Sequence, residues 1–169
     1  VTLMRRVLIA GAALILISAA AGYGFLRSVG MFADAAVYST DRGAIDGYDP
    51  VAYFELGAAT PGSEQFTTTW REARWLFANS ENLAKFRRDP ERYAPAYGGY
   101  CAYGMASGYT ANTDPEAWTI VDDRLFLNFD HDVKAEWETD RGSYIAEADV
   151  NWPSSRPARR LAEESTDDR

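Results

Sequence analysis

The first hydrophobic feature of the chain is a run of 20 uncharged residues, Val7 to Leu26 (VLIAGAALILISAAAGYGFL), with no polar face. As a helix, a run of that length spans a hydrocarbon core of roughly 30 Å. Residues 1–27 are therefore read as an N-terminal hydrophobic helix acting as a signal anchor. A cleaved signal peptide is the competing reading, because Ala19-Ala20-Ala21 supplies a small-residue cleavage site. Arg5 and Arg6 precede the run, and the positive-inside bias sends everything after Leu26 to the outer face. Residues 28–44 have no sustained period and read as a linker.

From Ile45 the pattern shortens. Phe66 to Trp70 and Ala73 to Phe77 predict a hairpin, since Trp75 and Phe77 alternate with other residues across a polar turn at Arg71-Glu72. Asn79 or Ser80 predicts a helix N-cap, with Leu83 and Phe86 one turn apart behind it and Pro90 as the stop. Trp118 to Val121, the Asp122-Asp123 turn and Leu125 to Phe129 predict a second hairpin in which Leu125, Leu127 and Phe129 face one way. Asp130 or Asp132 can cap a helix carrying Val133 and Trp137, with Gly142 as its stop, and a last short helix holds Tyr144, Ile145 and Ala148. The expected fold class is α+β, a small single domain over residues 45–152 made of short antiparallel hairpins and short helices. No internal repeat of useful length is evident. Residues 153–169 hold one Leu, no aromatic residue and four charges of each sign, and read as a disordered tail.

Composition narrows the chemistry. All five Trp, eight of ten Tyr and six of eight Phe lie within residues 45–152, which places the core there. The net charge of -8 argues against a nucleic-acid partner, because phosphates need a basic surface. Lys85 and Lys134 are the two lysines and neither follows Gly, so no phosphate-cradling Gly-Lys loop exists. Cysteine and histidine occur once each, at Cys101 and His131, which removes internal disulfides, iron–sulfur clusters and most zinc enzymes. His131 between Asp130 and Asp132 reads as a surface residue at a helix start, and Cys101 with His131 is the one possible Cys–His pairing.

The candidate site is Tyr93 to Tyr109 (YAPAYGGYCAYGMASGY). Gly98 and Gly99 permit a tight turn with positive φ, and Cys101 follows at a helix start among Tyr97, Tyr100, Tyr103 and Tyr109. Two readings of the thiol stay open. Backbone amides at a helix start can lower its pKa and make it reactive, or it is a small buried residue in a tyrosine-lined core.

Three ordered segments, GYDPVAYF (Gly47 to Phe54), WLFANSENLAKFRRDPERYAPAYGGYCAY (Trp75 to Tyr103) and DPEAWTIVDDRLFLNFD (Asp114 to Asp130), resemble the bacterial exported YHS-domain proteins. Some members of that group carry selenocysteine at the position of Cys101, so the resemblance implies redox or soft-metal use there. The wider family includes metal-handling members with three cysteine ligands. Those positions fall here on Ala52, Ala78 and Asn82, so the resemblance implies that this three-cysteine metal site is lost. Cys101, Met105 and His131 are the soft donors that remain for an ion such as copper.

The function expected is a membrane-anchored, periplasm-facing YHS-like binding or accessory domain centred on Cys101, soft-metal or redox related, with an unknown protein or small-molecule partner. It sits at the inner membrane, or is periplasmic or secreted if the N-terminal segment is cleaved. The alternative is a thiol-dependent oxidoreductase.

Overall fold

The computed structural model describes residues 37–155, so the predicted membrane segment lies outside the described residues, as does the tail after Ser155. Among the described residues no helix is long and apolar enough to cross a membrane. They form a small α+β domain of short antiparallel hairpins and short helices. The ordered fold takes in the end of the stretch read as linker. β1 (Ser39–Thr40) pairs with β2 (Gly43–Ala44), and Val37 and Ala44 are buried in the core.

The first long hairpin joins β3 (Ser63–Trp70) to β4 (Ala73–Phe77), with Thr68 opposite Trp75 and a bulge between Ser63 and Thr67. Trp75 and Phe77 are buried on one face as the alternation predicts. Leu76 is buried on the other face against β2, where its Cδ1 lies 2.9 Å from the place a Cβ on Gly43 would occupy. The turn residues Arg71 and Glu72 have φ of 50° and 65°. Such a turn matches the twist of the strands, yet both residues carry side chains in a left-handed region that favours Asn and Gly. Glu72→Gly is expected to stabilise the domain by about 1 kcal/mol. A urea midpoint that falls would contradict this.

α1 (Ala52–Glu55) precedes this hairpin and α2 (Ser80–Arg88) follows it. Asn79 caps α2 by accepting from Asn82 N at 2.9 Å. Phe86 on α2 packs its ring 5.1 Å from those of both Trp75 and Phe77. Asp89 ends α2 and caps α3 (Pro90–Tyr93), with Pro90 as the first residue of the new turn.

After α4 (Ala102–Ala106), the second hairpin joins β5 (Asp114–Val121) to β6 (Arg124–Asn128). β6 is buried on both faces. Leu125 and Leu127 enter a first core cluster with Trp75, Phe77 and Phe86, while Phe126 enters a second with Tyr97, Met105 and Trp137. Phe129, expected to face inward with Leu125 and Leu127, is instead 52% exposed. The strand ends at Asn128 because Asp130 turns the chain to cap α5 (His131–Thr139), accepting from Val133 N at 2.7 Å. Gly142 is not the stop of that helix. Asp140, at φ −148° and ψ 50°, breaks it and accepts from Ser143 N at 3.4 Å in the first turn of α6 (Arg141–Ser155). Backbone helix therefore continues past Pro153, where the tail was expected to begin.

The structure shows a repeat of shape that the sequence does not make evident. β3, β4 and α2 recur as β5, β6 and α5 at one constant offset of 51 residues, with equal lengths and the same bulge position. The correspondence extends upstream. Asp46 and Gly47 (φ 59° and 80°) match Tyr97 and Gly98 (φ 55° and 64°), and Gly57 at 64° matches Gly108 at 83°. The turn Arg71-Glu72 matches Asp122-Asp123, and the cap Asn79 matches Asp130. Over residues 45–88 and 96–139 the identities are limited to Gly47 and Gly98, Gly57 and Gly108, Thr68 and Thr119, Leu76 and Leu127, and Ala84 and Ala135.

Candidate functional site

Each half of the repeat carries one polar hub beneath its short helix. In the first, Asp49 is fully buried and four donors converge on it. Its Oδ1 accepts from Val51 N at 2.8 Å and Ala52 N at 3.3 Å. Its Oδ2 accepts from Ala78 N at 2.8 Å and Asn82 Nδ2 at 2.6 Å. This one side chain ties the start of α1 to the end of β4 and the first turn of α2. Ala52, Ala78 and Asn82, far apart in sequence, thus meet on a single carboxylate. The Asn82 amide is committed to Asp49, and Ala52 and Ala78 contribute backbone N–H groups, so all three positions serve a hydrogen-bonded hub.

In the second half Cys101, which falls one residue past the repeat position of Asp49 and aligns with Pro50, plays the comparable part. It is the N-cap of α4, and its sulfur accepts from Gly104 N at 3.5 Å. The backbone N–H groups of Phe129 and Tyr103 also favour negative charge on the sulfur. Phe129 and Tyr103 are the repeat counterparts of Ala78 and Ala52, so a sulfur and a carboxylate face equivalent donors. Asn128 completes this hub. Its Oδ1 accepts from Tyr103 N at 3.2 Å and stands 3.8 Å from the Cys101 sulfur, which donates to it. Among the described residues the Asn128 Nδ2 has no hydrogen-bond partner.

The expectation of a thiol at a helix start holds in place. Its electrostatics go the other way from activation. Cys101 is 2% exposed, and burial pushes its pKa above the usual thiol value, outweighing the backbone donors that pull it down, with Asp130 adding to the rise. A five-residue helix lends little dipole to oppose this.

The glycine turn is as expected in part. Gly98 and Gly99 have φ of 64° and 88°, and Tyr97 joins them at 55°. The turn is pinned from three sides. Tyr38 N donates to Gly98 O at 2.9 Å, Thr113 Oγ1 donates to Gly99 O at 3.0 Å, and Cys101 N donates to Ala111 O at 3.1 Å.

Three of the four tyrosines pack against other aromatic rings. Tyr97 stacks near Phe126 and Trp152, Tyr100 near Tyr38 and Trp152, and Tyr103 on Tyr144 at 5.1 Å. Tyr109 is exposed. The Tyr97 hydroxyl stands 3.0 Å from Asp149 Oδ1, and burial together with that carboxylate raises its pKa. Comparison with family models, curated proteins and solved structures finds no match.

The remaining soft donors are dispersed in environment. Met105 is fully buried in the second core cluster, one turn along α4 from Cys101. His131 is exposed at the first residue of α5, so no buried Cys–His pair forms. Among the described residues no group of three or more His, Cys, Asp and Glu side chains could hold a metal ion. Sequence reading missed Asp49 and Asn128 as hub residues. Asp49 lies inside the GYDPVAYF segment, whereas nothing local marks Asn128.

Proposed function

We propose that residues 37–155 form a YHS-like binding or accessory domain without chemistry of its own, held at the outer face of a membrane by the Val7–Leu26 segment. The observation that carries this reading is the comparable use of Cys101 and Asp49, one residue out of register in the repeat. In each half a buried acceptor gathers the backbone N–H groups of the short helix and of the residue after the second strand. A sulfur used in that way is an architectural post, and burial keeps its proton on. Thiol oxidoreductase chemistry needs the opposite, an accessible thiol with a lowered pKa.

The test is alkylation of the full chain by a small neutral reagent across a range of pH. The native thiol is expected to react far more slowly than the same thiol in denaturant, with its half-point moved to higher pH. Native reaction as fast as the denatured, or a half-point moved down, would favour the oxidoreductase. Cys101→Ala, which deletes the cap, is expected to cost about 1 kcal/mol in thermal unfolding. Cys101→Ser is expected to cost less, since a hydroxyl can accept from Gly104 N.

A further inference from the structure

Arg71 and Asp123, one from each of the two matching hairpin turns, line one cleft of about 280 Å³ together with the stretch from Ala94 to Gly98 and Trp152. Three guanidinium groups line it, and two are already matched. Arg71 pairs with Glu91 at 2.7 Å. Arg124 forms a two-point pair with Asp149, at 2.7 and 3.0 Å, and its guanidinium stands over the Phe126 ring at 4.9 Å. Asp149 is held below the usual carboxyl range by that pair, so it has little charge to offer elsewhere.

One charge of each sign is left over. Arg92 lines the cleft with its guanidinium 5.6 Å from the Tyr93 ring centroid, and neither an ion pair nor a hydrogen bond engages that guanidinium among the described residues. Asp123 lines the same cleft with its carboxylate likewise unengaged. Glu55, an acid within electrostatic reach of Arg92, is bonded to Lys85 at 2.8 Å. Tyr97 and Trp152, whose ring centroids are 6.1 Å apart, line the same cleft.

We propose that this cleft binds a small zwitterion of the α-amino acid class, its carboxylate on the Arg92 fork, its ammonium on Asp123 and its side chain against Tyr97 and Trp152. A simple anion would leave Asp123 unanswered and be repelled by it, and a simple cation would do the same with Arg92. The volume suits a ligand of this size and not an extended peptide. A planar guanidinium is the group best matched to a carboxylate. This ligand assignment rests on the binding-domain reading above.

The experiment is calorimetric titration of the full chain in mild detergent with phenylalanine, N-acetylphenylalanine and phenylalaninamide as probes. Phenylalanine is expected to bind saturably. Capping either end is expected to weaken binding about tenfold or more, because each cap removes one charge-assisted contact. Arg92→Ala and Asp123→Asn are expected to produce the same loss with phenylalanine while leaving the melting temperature unchanged. Asparagine tolerates the positive φ at position 123, so that variant keeps the turn.

No saturable binding of phenylalanine overturns the assignment, as does equal binding of the capped probes or full binding by the two variants. If the N-acetyl probe alone binds, the cleft takes simple anions and the zwitterion assignment falls. Failure here with Cys101 still inert to alkylation removes the ligand class alone. Rapid native alkylation of Cys101 removes the binding-domain reading itself.

Discussion

Asp49→Ala is expected to destabilise the domain by about 3–5 kcal/mol, enough to abolish cooperative unfolding in a marginal protein of this size. The substitution strips acceptors from four donors at once, the N–H groups of Val51, Ala52 and Ala78 and the Asn82 amide. The donors of Val51, Ala52 and Asn82 are then left unsatisfied in buried surroundings. Asp49→Asn separates this from a cavity effect, since it keeps the volume. Because two donors face each oxygen, an amide placed either way round sets its NH2 against a pair of N–H groups. A loss of about 2–4 kcal/mol is therefore expected even from this near-isosteric change. Retention of the wild-type midpoint in urea by Asp49→Asn would show that the hub is not what holds α1 to α2.

Gly99→Ala is expected to cost about 2–4 kcal/mol from two sources that add. Gly99 sits at φ +88°, where a side chain is strained whatever the space around it. An added Cβ would also lie 2.7 Å from Ile45 Cγ2 and 3.2 Å from Pro95 Cγ, both in packed surroundings. Ile45 cannot retreat easily, being fully buried and itself at φ 43°. The check is thermal unfolding of Gly99→Ala beside Gly57→Ala. Gly57 has a similar φ of 64° but nothing within 4 Å of its absent Cβ, so it reports the backbone strain alone. Equal losses from the two variants would refute the steric part.

What could be read ahead of the structure was whatever lies within a few residues along the chain. The alternation of Trp75 and Phe77, the capping residues Asn79 and Asp130 and the two polar turns are local signals, and each element formed where it was expected. The hub on Asp49 could not be seen in this way, because its partners at Ala78 and Asn82 lie 29 and 33 residues away. The inner face of β6 misled for a related reason. Buried on both sides by two separate clusters, it lacks the polar half of an alternating strand, and Phe129 looked like its continuation. The repeat was hidden because its halves share little beyond two positive-φ glycines and three other residues, while their turns, caps and lengths agree in shape. Cys101 was found by its rarity. Its role as a cap comparable in use to Asp49, one place out of register, needed the coordinates.

Two look-alike halves in one chain pose a sorting problem while the chain is folding, since either hairpin could seat under the wrong short helix or pair with a neighbouring molecule's half. The unlike hubs settle that competition. A second-half hairpin placed beneath α1 would bring Val133 to Asp49 in place of Asn82, leaving one carboxylate oxygen short of a donor and burying an isopropyl group against it. A first-half hairpin placed beneath α4 would bring Phe77 where Asn128 stands and leave the Tyr103 N–H without its acceptor. Divergence at these few buried positions therefore acts as a proofreading device, one that penalises exchanged arrangements and would be lost if the two hubs were made alike.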